Sequence, residues 1–214
     1  MDFAYKLREH IKRDIFTLQD IKTIFNSITD PAIHSGITRS LETREFLKLK
    51  RGLYLFAKNL QRGSISKLVV ANKLYDPSYI SFESALSYHG LIPEAVYTTT
   101  SACFQRKNKT FSNDLGNFSF DYISSRPFFM GVQSHKEEGG VLMASPLKAL
   151  FDLIYIRRKN YNSILDIEND FRIEPSSLLQ EISKISILEL EILAKSYKKK
   201  NIYLLYEILI KAFK

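Results

Sequence analysis

Between Phe46 and Phe56 the chain changes its period. Phe46-Leu47-Lys48-Leu49-Lys50 alternates apolar and basic residues, Arg51-Gly52 supplies a tight turn, and Leu53-Tyr54-Leu55-Phe56 returns. Alternation by two around a glycine turn predicts a β-hairpin. The residues before it repeat every three or four places instead. A chain that carries both periods before residue 60 is neither all-α nor all-β, and an α+β class is expected.

The helical part reads as three segments. Residues 2–13 place Phe3, Leu7 and Ile11 four apart. Thr17 opens a second helix: its hydroxyl caps orphan amides, and Asp20 three places on favours the positive helix end. Leu18, Ile21, Ile24 and Phe25 form its apolar side, and residues 26–31 break it. Asp30-Pro31 begins a third helix, about 31–44, with Pro at the first position. At 100° per residue, Ile33, Ile37 and Leu41 gather on one side; Ser35, Thr38, Arg39 and Glu42 fall on the other. Leu47 and Leu49 of the hairpin are expected to face these helices, with Lys48 and Lys50 outward and Arg51 at the tip. Three short helices followed by a basic hairpin is the order of a winged helix-turn-helix. In that fold the third helix enters the major groove, where Arg reads guanine edges and Ser or Thr reaches bases or phosphates. A basic wing meets backbone phosphates. The candidate DNA-contacting residues are therefore Ser35, Thr38, Arg39, Lys48, Lys50 and Arg51.

Charge agrees in sign. Lys and Arg number 31 against 23 Asp and Glu, a net charge of +8. Residues 1–62 hold 12 of the basic side chains and only 7 of the acidic ones. A basic surface attracts polyanions, nucleic acid first among them.

Gln61-Arg62-Gly63-Ser64 separates this unit, residues 1–60, from a second, residues 61–214. The second unit is expected to be mixed, with a small sheet and C-terminal helices. Helices are expected at 65–75, at 81–89 behind Ser81 with Gly90 as breaker, and from Ser145-Pro146. Strands are expected at 96–100 and 118–123, with further candidates at 128–132 and 140–143. Capping boxes are read at Ser177 with Gln180 and at Ser186 with Glu189, and the last helix at 201–213. Arg106, Lys107 and Lys109 make a secondary basic rim.

Other classes find little support. The apolar fraction of 45% argues against disorder, and no apolar run reaches membrane-spanning length without a charge. Met1-Asp2-Phe3-Ala4-Tyr5-Lys6 has no apolar signal core, so a cytoplasmic location is expected. Cys103 is the single cysteine, which excludes an internal disulfide and a multi-thiolate metal site. His10, His34, His89 and His135 are scattered, and His89 beside Gly90 reads as a helix end. Asp166-Ile167-Glu168 has the spacing of a metal-holding carboxylate pair but reads as acids in a polar loop. Asp152 reads as a structural or interface acid. No catalytic residue, metal or cofactor is expected, and the protein is read as not an enzyme.

Four segments, taken in order, resemble the AbiEi-type abortive-infection antitoxins, a family of transcriptional regulators of viral defence. Leu41–Tyr54 is similar to the family's recognition helix running into a wing with a basic residue, Gly and Tyr. Tyr79–Pro93 is similar to the helix that begins its second domain. Phe111–Phe120, with Gly116 between, resembles its central hairpin. Ala144-Ser145-Pro146-Leu147-Lys148-Ala149-Leu150-Phe151-Asp152-Leu153 resembles a later helix, although Leu147 stands where the family is more often acidic. The resemblance covers about residues 15–156. It implies a DNA-binding antitoxin of a type IV toxin–antitoxin pair that represses its own operon. The implied functional partner is a nucleotidyltransferase-like toxin encoded beside it. The alternative is a protein-interaction module that contacts an acidic partner through the α/β domain without binding DNA.

Overall fold

Thr17 organises the first unit. It closes a short strand, β1 (Ile15–Thr17), and caps helix α2 (Leu18–Ile24) in one step. Its hydroxyl accepts from the Asp20 amide at 3.2 Å while the Asp20 carboxylate accepts from the Thr17 amide at 2.7 Å. Helix α1 (Phe3–His10) precedes β1, and α3 (Asp30–Glu42) follows α2 with Pro31 in its first turn. Strands β2 (Phe46–Lys50) and β3 (Leu53–Phe56) form the expected hairpin, and β1 joins it to give an antiparallel sheet of order β1-β3-β2. Gly52 holds the turn with φ +75, a conformation that L side chains rarely adopt. The computed structural model describes residues 3–136 and 140–213; position 2, where the first helix was expected to begin, lies outside them.

One face of this sheet carries the helices. Phe16, Phe46, Tyr54 and Phe56 pack there with Leu7, Ile21, Ile33 and Ile37. The rings interlock, Phe16 lying 4.4 Å from Phe56 and 5.0 Å from Phe46 between centroids. Gly36 admits α1 to α3: a Cβ there would stand 2.8 Å from the Phe3 ring.

The other face corrects the expected hairpin orientation. Leu49, with Ile15, Leu53 and Leu55, belongs to the core of the second unit, and Leu47 packs against that core. These leucines face away from the helices because Phe46 takes the helix side, and a strand turns alternate residues to opposite faces. A register shift between Lys48 and Lys50 then breaks the alternation. Leu49 enters the second core, and the ammonium of Lys50 donates to the Leu74 carbonyl of the same unit at 2.7 Å.

The second unit is a sheet of order β6-β7-β5-β4-β9-β8 with helices around it. Its elements are α4 (Lys67–Leu74), β4 (Ser78–Ile80), α5 (Phe82–Tyr88), β5 (Thr98–Cys103), β6 (Lys109–Asn113) and β7 (Gly116–Tyr122). Then come β8 (Val132–His135), β9 (Val141–Ala144), α6 (Pro146–Arg157), α7 (Ile164–Phe171), α8 (Pro175–Ser183), α9 (Ile187–Ser196) and α10 (Lys200–Phe213). The chain is thus mixed α+β, with ten helices and two sheets among the described residues.

Several local expectations change. The central strand β4 is three buried residues between Pro77 and Ser81, too short to show a period. Of Phe128–Val132 only Val132 enters a strand. The acids at 166 and 168 sit in helix α7, not a loop, and Asp166 is the third helical residue of a capping box begun by Ser163. Ser177 lies inside α8, whose N-cap is Glu174, whereas the Ser186–Glu189 box is present.

A polar group is sealed inside this core. Asp152 on α6 accepts from the hydroxyls of Tyr79 at 2.9 Å, Ser81 at 2.7 Å and Tyr197 at 2.6 Å. Lys148, one turn earlier, stands 3.1 Å from the same carboxylate and donates to the Tyr197 hydroxyl at 2.9 Å. Both charged side chains are 0% exposed. Ser81 is the N-cap of α5 in backbone terms, yet its hydroxyl serves Asp152 instead of the helix amides. Burial pushes the Lys148 ammonium below the ordinary lysine range, against the pull of Asp152, and raises the Tyr79 and Tyr197 phenols. Of the two roles read for this acid, structural or interface, its complete burial fits the structural one. It joins β4, α5, α6 and the end of α9 in one network.

Candidate nucleic-acid interface

Helix α3 presents its outer face to solvent. Ile33, Ile37 and Ser40 are buried, while Ser35, Thr38, Arg39 and Glu42 are exposed. The split follows the helical period and the Pro31 start, which fix the rotation of the helix on the sheet. Ser35 returns its hydroxyl proton to the Pro31 carbonyl at 3.0 Å, so its free lone pairs point outward as acceptors. Arg39 has no side-chain partner among the described residues. Glu42 stands between Ser35 and Thr38 on the helical wheel and is the one acid on that face.

The hairpin divides its cations. Lys48 lies on the Phe46 side of β2, opposite Tyr54 in the ladder, and is exposed. Arg51 is exposed in the turn, which the Leu18 amide fixes by donating to the Gly52 carbonyl at 2.9 Å. Lys50 is different: with its ammonium on Leu74, it ties the hairpin to the second unit, contrary to the phosphate-facing role expected of it.

Other basic residues of the first unit sort by partner. Arg8 pairs with Asp14 at 2.9 Å, and its guanidinium lies 4.6 Å from the centroid of the Phe56 ring. Arg13 pairs with Asp20 and Lys22 with Asp30, each at 2.6 Å. The Asp30 carboxyl is held below its ordinary range by the hydrogen bond from Lys22. Lys12, Arg39, Arg44, Lys48, Arg51 and Lys58 are exposed and have no side-chain partner among the described residues. Arg44 and Lys58 were not singled out by sequence reasoning. Their available signal was position, Arg44 two residues past the end of α3 and Lys58 two residues past the end of β3.

Of the four histidines read as scattered, the structure brings His89 and His135 together, their ring centroids 5.8 Å apart. Asp166 accepts from the amides of Asn162 and Ser163 at 2.8 and 3.1 Å, the work of a helix cap. His89 ends α5 as expected and donates from Nε2 to the Ala144 carbonyl at 2.9 Å. Burial lowers its pKa, with that hydrogen bond opposing. Cys103 is fully buried, and burial pushes its thiol up to about 11. Among the described residues no group of three or more His, Cys, Asp or Glu is placed to hold a metal ion, and no helix is long and apolar enough to cross a membrane.

No protein-family model matches the chain, and no curated protein matches it. Among solved structures, the RV2827C protein from Mycobacterium tuberculosis is similar in fold, with a TM-score of 0.53 and 12% sequence identity. The superposition covers 99% of this chain and 82% of that one. At that identity the likeness is one of fold, and it spans both units of the chain.

Proposed function

We propose that residues 3–60 form a winged helix-turn-helix that binds double-stranded operator DNA, and that the chain is a transcriptional repressor. The observation that carries this reading is the pairing of topology with exposed charge. Helix, strand, helix, helix and hairpin follow one another, the sheet order is β1-β3-β2, and Arg39, Lys48 and Arg51 are exposed on the third helix and the hairpin, without a side-chain partner among the described residues. Arg39, Thr38 and Ser35 contact base edges, and Lys48 and Arg51 contact phosphates. The resemblance to AbiEi-type antitoxins extends the proposal to an antitoxin that autoregulates its operon and counteracts a nucleotidyltransferase-like toxin encoded beside it.

Fluorescence anisotropy with the DNA upstream of the gene tests the first half. Arg39→Ala is expected to cost about 1–3 kcal/mol and to relax sequence preference, whereas Arg51→Ala weakens all sequences alike and lowers the salt slope by about one. If neither substitution changes binding, the interface is elsewhere. Growth rescue on co-expression with the neighbouring gene's product tests the second half.

A further inference from the structure

On the second unit, away from α3 and the hairpin, a cleft of about 790 Å³ opens between the end of β7, the end of α6 and the start of α10. Three stretches far apart in sequence meet in it: Asn108 with Asp121 and Tyr122, then Tyr155, Ile156, Arg158 and Asn160, and Lys199 through Asn201. Arg158, Lys199 and Lys200 bring three cations to its wall, all exposed and without a side-chain partner among the described residues. Asp121 is the single carboxylate there. It accepts from Asn108 Nδ2 at 2.7 Å, and the other end of that carboxamide accepts from the Tyr122 amide at 3.1 Å, which fixes this side of the cleft. Lys107 and Lys109 flank Asn108 in sequence, Lys107 on a loop held by the Tyr75 hydroxyl, which donates to Gln105 at 2.8 Å, and Lys109 at the start of β6.

We propose that this cleft binds a nucleoside phosphate. Its volume falls in the range of small-ligand sites, about 300–1,000 Å³. The guanidinium of Arg158 and the two ammonium groups suit a phosphate, the first as a bidentate fork and the others as point charges. Asn160 carries a donor and an acceptor, the complement a base edge requires, whereas Asn201 Nδ2 already donates to the Ile154 carbonyl at 3.5 Å and leaves its oxygen as the acceptor. Tyr122 and Tyr155 line the cleft half-buried, and a base stacks on an aromatic ring; the Tyr155 ring also lies 5.8 Å from that of Tyr197 between centroids. Asp121 suits ribose hydroxyls, which donate to a carboxylate; it repels phosphates and the carboxylates of an acidic peptide alike, so the ribose contact is what favours the nucleotide. The same chemistry is offered by a free nucleotide and by the end of a single strand.

The test uses the full chain. N-methylanthraniloyl-labelled ATP and GTP are titrated by fluorescence, with unlabelled mononucleotide, single-stranded trinucleotide, inorganic phosphate and duplex DNA as competitors. Saturable binding with a Kd below about 1 mM is expected, competed by nucleotide or trinucleotide and far more weakly by phosphate. Stronger competition by mononucleotide assigns the free ligand; stronger competition by trinucleotide assigns the strand. Lys199→Glu with Lys200→Glu is expected to lower affinity at least tenfold, and Asn160→Ala to weaken nucleotide without weakening phosphate. Arg51→Ala, in the first unit, is expected to leave this binding unchanged, so that its failure and the failure of operator binding read separately. If a variant loses its native circular dichroism, hydrogen exchange of the unsubstituted chain decides, with ligand-dependent protection expected at 155–160 and 199–203. No saturation by 1 mM, phosphate competing as well as nucleotide, unchanged affinity in the lysine variant, or no protection each overturns the proposal.

Discussion

Replacing Asp152 by Asn isolates the buried ion pair from the hydrogen bonds around it. The carboxamide oxygen still accepts from a hydroxyl, and the shape is nearly kept, but Lys148 loses its counter-charge in a site that is 0% exposed. Removing one partner of a buried pair typically costs about 3–5 kcal/mol. Against a total stability of about 5–15 kcal/mol, that is a fifth of the whole or more. With a urea dependence of about 1–3 kcal/mol per molar, the unfolding midpoint should fall by about 1–5 M. Because the chain has no Trp, circular dichroism is the suitable probe. The double variant Lys148→Met with Asp152→Asn removes both charges and should recover most of the loss. A pH series adds a signature. Burial already holds Lys148 below the ordinary lysine range, and without Asp152 it falls further. The unfolded chain then binds a proton that the folded chain lacks, so stability rises with pH until the ordinary lysine pKa near about 10.4 is reached. The gap between Asp152→Asn and the native chain should therefore narrow between about pH 7 and pH 10. A loss under about 1 kcal/mol, or a double variant no more stable than the single one, would refute the assignment of this stability to the pair.

Three further outcomes are expected. Lys50→Ala should lower stability by about 1.5–3 kcal/mol through loss of the charged hydrogen bond to Leu74, and should leave the salt slope of DNA binding unchanged where Arg51→Ala lowers it. Gly36→Ala should destabilise by about 1–3 kcal/mol, because the new methyl meets the Phe3 ring at 2.8 Å; an unchanged melting temperature would show that α1 yields freely. Cys103, buried and with its thiol pushed up to about 11, should react with a thiol reagent at neutral pH only as fast as the chain unfolds.

Some of this was legible in the sequence because its signals are local. Thr17, Ser145 and Ser186 announce helix starts by hydroxyl caps, and all three stand at helix N-caps. The hairpin shows in its alternation, and the inward set of α3 in its helical spacing. What escaped needed partners distant in the chain. Strands β1 and β4, three residues each, are strands only because β3 and β5 lie alongside them. Alternation sorts Phe46 and Leu47 onto opposite faces but does not say which face the helices take. The bulge that turns Lys50 toward Leu74 belongs to the pairing with β3 and leaves no mark in composition. The burial of Lys148 had one readable trace, an acid one turn later at Asp152. The cleft of Arg158, Lys199 and Lys200 had none, since its walls come from segments far apart.

Strand β3 carries the consequence that reaches furthest. Leu53-Tyr54-Leu55-Phe56 is buried along its whole length, the run expected of a strand covered on both faces. Tyr54 and Phe56 belong to the core of the helices, Leu53 and Leu55 to the core of the second unit. One short sheet is thus the shared wall of two cores, and the Asn113 carboxamide reinforces it by donating to the Leu49 carbonyl at 3.2 Å. Cutting the chain near residue 61 would strip Ile15, Leu49, Leu53 and Leu55 of their cover on one fragment and uncover their neighbours on the other. Each buried leucine left exposed costs about 1.5–3 kcal/mol, enough in sum to unfold either fragment. On the proposed reading, the second unit therefore sets the posture of the hairpin that meets DNA. The two activities are better separated by point substitutions on the surface, Arg51→Ala against Lys199→Glu with Lys200→Glu, than by truncation.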